Sequence, residues 1–100
     1  MRARIPIDQK KLSDFCRRNH IRRLALFGSV LRDDFRADSD VDVLVEFEPT
    51  HVPGFFALFE MEQELGEIVG RKVDLNTPGS LSKYFRARVL AEAVPLHDAA

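Results

Sequence analysis

The run Val41-Asp42-Val43-Leu44-Val45 constrains this chain most, because it is apolar and β-branched yet holds one carboxylate inside it and another, Asp40, at its head. Apolar residues at period two predict a buried strand whose successive side chains point to opposite faces. Asp40 and Asp42 then share a face. Like charges that close repel, and a fold tolerates them at low cost when a cation or a shared proton sits between them. Hard oxygen donors of this kind suit Mg²⁺.

The preceding segment adds to this site. Arg22 to Phe27 predicts a short strand ending at Gly28, where the chain can turn sharply and let backbone N–H groups approach a ligand. Ser29 fits an N-cap, and Val30 to Asp34 predicts a short helix whose N-terminus offers unpaired N–H groups and a positive dipole end to phosphate. Ten residues separate the Gly28-Ser29 pair from Asp40. A strand, a phosphate seat and a carboxylate pair on the next strand make the layout of phosphoryl or nucleotidyl transfer.

With these residues in place, the chain resembles the DNA polymerase β-like nucleotidyltransferases. The string Gly28-Ser29-Val30-Leu31-Arg32-Asp33-Asp34-Phe35-Arg36-Ala37-Asp38-Ser39-Asp40-Val41-Asp42 looks like their minimal nucleotidyltransferase (MNT) branch. The resemblance runs over roughly residues 22 to 97. It implies a third carboxylate on a neighbouring strand, for which Asp74 in Lys72-Val73-Asp74-Leu75-Asn76 is the matching position. Asp33 stands where the family often has a small residue, and Ala37 where Pro is common.

One hundred residues predict a single domain spanning 1–100, with room for one core but not for a separate substrate domain. A formal net charge of -1 gives no general drive toward nucleic acid, so direct nucleic-acid binding is disfavoured. The single cysteine, Cys16, excludes an internal disulfide and suits a reducing cytoplasm. The sequence shows no apolar run near the length of a membrane span and no export signal.

Along the chain, Ile7 to Arg18 predicts a helix burying Leu12, Phe15 and Cys16. A second helix is expected from Phe55 to Val69, burying Phe55, Leu58, Phe59, Leu65 and Ile68 and stopping at Gly70. Phe56 and Met61 fall off that face, and with Phe35 they suggest either a partner patch or irregular core packing. Lys72 to Asn76 reads as a third strand, Thr77-Pro78-Gly79 as a turn, and Leu81 to Glu92 as a third helix with Leu81, Phe85 and Val89 on one side. Val94 to His97 reads as an edge strand, since Pro95 cannot donate to a central ladder. The fold class is α/β (α+β): a small mixed sheet with helices packed on it.

Each singled-out residue has a plainer reading. Asp74 could be a surface carboxylate paired with Lys72 or Arg71, though the metal role is favoured. Ser29 could cap its helix, a role compatible with phosphate binding. Arg32 could bind triphosphate or pair with Asp33, Asp34 or Asp38. Asp38 is in phase with Asp40 and Asp42 but belongs more naturally to the loop. Lys83, Arg86 and Arg88, with Tyr84 among them, read as a solvated basic face or a docking surface on the third helix. His20, His51 and His97 are scattered and lack metal-ligand spacing; a general-base role for any of them is a minority reading.

The expected function is metal-dependent nucleotidyl transfer, with AMP from ATP as the group moved. Asp40, Asp42 and Asp74 would hold two Mg²⁺ ions, with Mn²⁺ as a substitute, or Asp74 would take the acceptor's proton. Gly28, Ser29 and Arg32 would bind the nucleotide's phosphates. The resemblance implies an antitoxin that adds AMP to a tyrosine of a partner HEPN toxin. The alternatives are a noncatalytic binding module, and a transferase acting on a small molecule or an RNA end, for which an oligomer could build the missing pocket.

Overall fold

A computed structural model of the chain describes residues 7–28, 40–84 and 86–98. The elements run α1 (Gln9–Arg18), β1 (Ile21–Phe27), β2 (Val41–Phe47), α2 (Phe55–Val69), β3 (Val73–Asn76), a 3₁₀ turn (Pro78–Ser80), α3 (Arg86–Glu92) and β4 (Val94–Asp98). The four strands form a mixed sheet in the order β3-β2-β1-β4. β1 is antiparallel to both β2 and β4, whereas β2 and β3, joined through α2, are parallel. This is the mixed, helix-covered sheet expected from the sequence.

Alternation along the strands sorts side chains between two faces. Leu24, Leu26, Val41, Val43, Val45, Val73 and Leu75 pack with Leu12, Phe15 and Cys16 of α1 and Met61, Leu65 and Val69 of α2 into one core. The opposite face carries Asp42 and Asp74, with Ala25 and Leu44 buried further along it. Two helices thus cover one face and leave the carboxylate-bearing end of the other to chemistry.

Local signals set most boundaries. Asp8 caps α1, its carboxylate accepting the Lys11 N–H at 3.1 Å, so the helix begins two residues later than Ile7. Asn19 closes it by donating its side-chain amide to the Phe15 carbonyl at 2.8 Å. α2 stops where Gly70 turns left-handed at φ 73°, its N–H bonded to the Gly66 carbonyl.

Two expectations need correction. The span of α2 is as expected, and Leu65 is fully buried with Leu58 and Ile68 packed against the core as expected, but Met61 is 8% exposed whereas Phe55 and Phe59 are 80% and 55% exposed. The stripe through Leu58, Met61, Leu65 and Val69 faces the core, and at 100° per residue Phe55 and Phe59 stand about a quarter to a third of a turn away from it. Phe56 is exposed and Met61 is buried in the core, so these two do not form one patch, and Phe35 lies outside the described residues.

The third helix is also shorter than the span from Leu81. Thr77 and Ser80 form a capping box around the 3₁₀ turn, with the Ser80 hydroxyl accepting the Thr77 N–H at 3.1 Å and donating to its carbonyl at 2.8 Å. Leu81 is buried just after that turn, Lys83 and Tyr84 precede α3, and Phe85 is outside the described residues. β4 lies at the edge of the sheet, where Pro95 costs no central hydrogen bond. His97, on this edge strand, is half-buried beside Leu24.

Candidate active site

Three strand ends build the site. β1 ends at Phe27, which pairs with Asp42 on β2, and Asp42 in turn pairs with Asp74 on β3. Phe27, Asp42 and Asp74 therefore form one row across the sheet, and the two aspartates are neighbours in register. Because Val41, Val43, Val73 and Leu75 are held in the core, both carboxylates must project from the opposite face. Asp42 is half-buried and Asp74 exposed.

Gly28 follows Phe27 at φ 76°, the left-handed region that glycine enters without steric cost. Its bare Cα leaves room for a neighbour: a Cβ there would overlap Oδ2 of Asp42 and stand 3.2 Å from its Cγ. Glycine is thus required twice, for the turn and for the approach of the carboxylate.

Asp40 immediately precedes β2 and is exposed. The next residue, Val41, donates its N–H to the Lys72 carbonyl at 2.9 Å, so the strand's parallel pairing with the β3 side begins beside Asp40. Asp74 is fixed from both directions along its own strand. Its carbonyl accepts the Asn76 side-chain amide at 3.1 Å, and the following N–H, of Leu75, donates to Glu62 Oε2 on α2 at 2.8 Å. The Glu62 contact was not foreseen from the sequence; it arises because β3 is an edge strand whose outward N–H needs an acceptor.

The structure thus brings Gly28, Asp42 and Asp74 together, with Asp40 at the head of the same strand. Ser29, Arg32, Asp33 and Asp38 lie outside the described residues. The carboxylates of Asp40, Asp42 and Asp74 do not converge as closely as metal ligands do. Among the described residues, the acidic and imidazole donors that close to within 4.8 Å of one another are those of His20, Glu48 and His51. The donor chemistry nevertheless fits a hard divalent ion: carboxylates on adjacent strands, in register, on a solvent-facing sheet end.

No helix among the described residues is long and apolar enough to cross a membrane.

Known proteins resemble this chain in sequence and in fold. Residues 9–97 match the family model described as nucleotidyltransferase domain. The protein adenylyltransferase MntA of Thermococcus cleftensis is 38% identical over 74 residues, which cover 74% of this chain and 73% of that protein. A solved structure provisionally identified as a minimal nucleotidyltransferase superposes with a TM-score of 0.71 at 32% identity, covering 87% of each chain. The fold also matches, at a TM-score of 0.64 and 24% identity over 90% of this chain and 69% of the other, a structure of a tri-AMPylated Shewanella oneidensis HEPN toxin in complex with its MNT antitoxin. With a carboxylate row on paired strand ends, a glycine turn beneath it and a family match over nearly its whole length, the chain belongs to the nucleotidyltransferase domain family, in the minimal nucleotidyltransferase branch.

Proposed function

We propose that this nucleotidyltransferase moves AMP from ATP to a tyrosine hydroxyl of a HEPN-type toxin and so acts as its antitoxin. The observation that carries the reading is the in-register pair Asp42 and Asp74 beside the turn at Gly28. The names of the relatives support it, since one is a protein adenylyltransferase and another is an MNT antitoxin found with an AMPylated HEPN toxin.

Asp40, Asp42 and Asp74 would hold Mg²⁺, in which Mn²⁺ can substitute; when bound, two such ions supply charge neutralisation for the triphosphate and the attacking oxygen. The chain's own contribution is placement. Gly28 lets the backbone turn beneath the carboxylates, and Ser29 and Arg32, next in sequence, would meet the β- and γ-phosphates. Asp74, the most open of the paired carboxylates, also suits acceptance of the acceptor hydroxyl's proton. The 100 residues act as one domain, and the open acceptor side of the site is completed by the partner protein. ATP-dependent silencing of an intracellular toxin belongs in the cytoplasm, which fits a lone, buried and unpaired cysteine, Cys16.

The test is co-expression with the protein encoded beside it, followed by intact-mass measurement of that neighbour. Wild type should add one or more AMP units, peptide mapping should place them on tyrosine, and the Asp40→Asn, Asp42→Asn double variant should add none. An unmodified neighbour that both forms neutralise equally would leave a binding module in place of an enzyme.

A further inference from the structure

We propose that His20, Glu48 and His51 form a binding site for a transition-metal ion of the Zn²⁺ class, separate from the aspartate row. The proposal is independent of the function proposed above. Sequence spacing hides the site, since thirty-one positions separate the histidines. Antiparallel pairing reveals it: β1 begins at Ile21 opposite Phe47, so the residues just outside that pair, His20 and Glu48, meet. Phe27 and Asp42 mark the other end of the same ladder, roughly 20 Å away at about 3.3 Å per residue.

One donor atom from each of His20, Glu48 and His51 lies within 4.8 Å of the others. His20 Nδ1 stands 3.4 Å from Glu48 Oε2. That is long for a hydrogen bond, but it matches the edge of a tetrahedron with arms of about 2.1 Å, the Zn–N and Zn–O distance. The imidazoles of His20 and His51 are stacked, with centroids 3.7 Å apart and planes 16° from parallel, so binding one ion requires an exposed ring to turn out of the stack until both nitrogens point at it.

The backbone holds the three residues together without a metal. The Glu48 N–H donates to the His20 carbonyl at 3.0 Å, and the His51 N–H donates to the Glu48 carbonyl at 2.9 Å. These bonds set the backbone positions, and the exposed side chains are what an ion must still order. Thr50 Oγ1 lies 2.9 Å from His51 Nδ1; in the tautomer in which Nδ1–H donates to that hydroxyl, Nε2 is free to act as the ligand atom. His20 adopts φ 54°, a left-handed conformation that histidine tolerates better than most residues.

Two imidazoles and a carboxylate select Zn²⁺, Cu²⁺ or Ni²⁺ over Mg²⁺, which prefers oxygen alone. Three protein ligands leave a fourth position for water or an incoming donor. A groove of about 530 Å³, lined by Cys16, Arg17, His20, Glu48 and His97 among others, opens beside the cluster. A bound ion would tie the α1–β1 turn to the β2–α2 connection.

The test is titration of the full chain with Zn²⁺ under excess Mg²⁺, read by competition with a chromogenic chelator, with Co²⁺ as a spectroscopic substitute. Wild type should take up a single tight equivalent, show a tetrahedral Co²⁺ spectrum and gain thermal stability with Zn²⁺. His51→Gln, on an exposed connection, and His20→Asn, which keeps a residue tolerant of the left-handed backbone, should each weaken uptake at least about tenfold. The Asp40→Asn, Asp42→Asn double variant should keep the equivalent. The proposal falls if wild type takes up no Zn²⁺ under excess Mg²⁺, if His51→Gln binds as tightly as wild type, or if the equivalent disappears with the aspartates.

Discussion

The Asp42 carboxylate lies against the bare Cα of Gly28, so that a side chain at position 28 and the present position of Asp42 exclude each other. Gly28→Ala therefore meets two penalties, a left-handed backbone at φ 76° and overlap with Oδ2. The backbone penalty alone is about 1–2 kcal/mol. Chemical denaturation should show a loss of at least that size, and the thermal shift produced by Mg²⁺ with ATP should shrink. A variant as stable and as responsive as wild type would mean that Asp42 sits elsewhere in solution.

The pairing of Asp42 with Asp74 separates folding from chemistry. Both carboxylates face away from the core, and Asp74 is exposed, so Asp74→Asn should change stability by no more than about 0.5 kcal/mol. Its effect should fall on function: in melting curves, wild type gains stability from Mg²⁺ plus ATP by mass action, and Asp74→Asn and Asp40→Asn gain less. Unfolding of the Asp40→Asn variant would recast that carboxylate as a structural partner.

Much of this site was legible because its signals are local. Alternation fixed Val41 to Val45 as a strand, and Gly28 marked the turn. Asp74 became legible through resemblance, but its alignment with Asp42 depends on a parallel register that local sequence does not encode. The end of α2 followed from Gly70, whereas its phase depended on which residues met the sheet; Phe55 and Phe59 in its first two turns pulled the expected face away from Met61. The capping box of Thr77 and Ser80 competed with the apolar spacing from Leu81 and shortened α3. The meeting of His20 with His51 was invisible for the same reason as the aspartate register: it is a product of strand pairing.

Glu62 should act as a positioning residue for Asp74. Its carboxylate accepts the Leu75 N–H, the outward-facing donor of an edge strand. Glu62→Ala removes a charged hydrogen bond worth about 1.5–3 kcal/mol and frees the strand next to Asp74. Hydrogen exchange at Leu75 should accelerate, and the Mg²⁺ plus ATP response should weaken, while Glu62→Gln, which keeps an acceptor, restores most of both. Exchange at Leu75 unchanged in Glu62→Ala would remove this role.

Cys16 should be chemically silent in the folded chain and should report on alkaline unfolding. Burial on the core face of α1 pushes its thiol up from the ordinary 9.0 to about 11, because the thiolate loses hydration there. A pKa raised in the folded state means that this contribution to stability is whole below pH 9.0, declines as the unfolded thiol ionises, and is lost as pH passes about 11. Cys16→Ala should flatten the fall in unfolding free energy across that window, at the cost of some core packing at every pH. Iodoacetamide at neutral pH should label denatured chain quickly and native chain only at the rate of opening. Rapid labelling of native protein would show that the α1 face of the core is open, and with it the wall that holds β1 and Gly28 in line with Asp42.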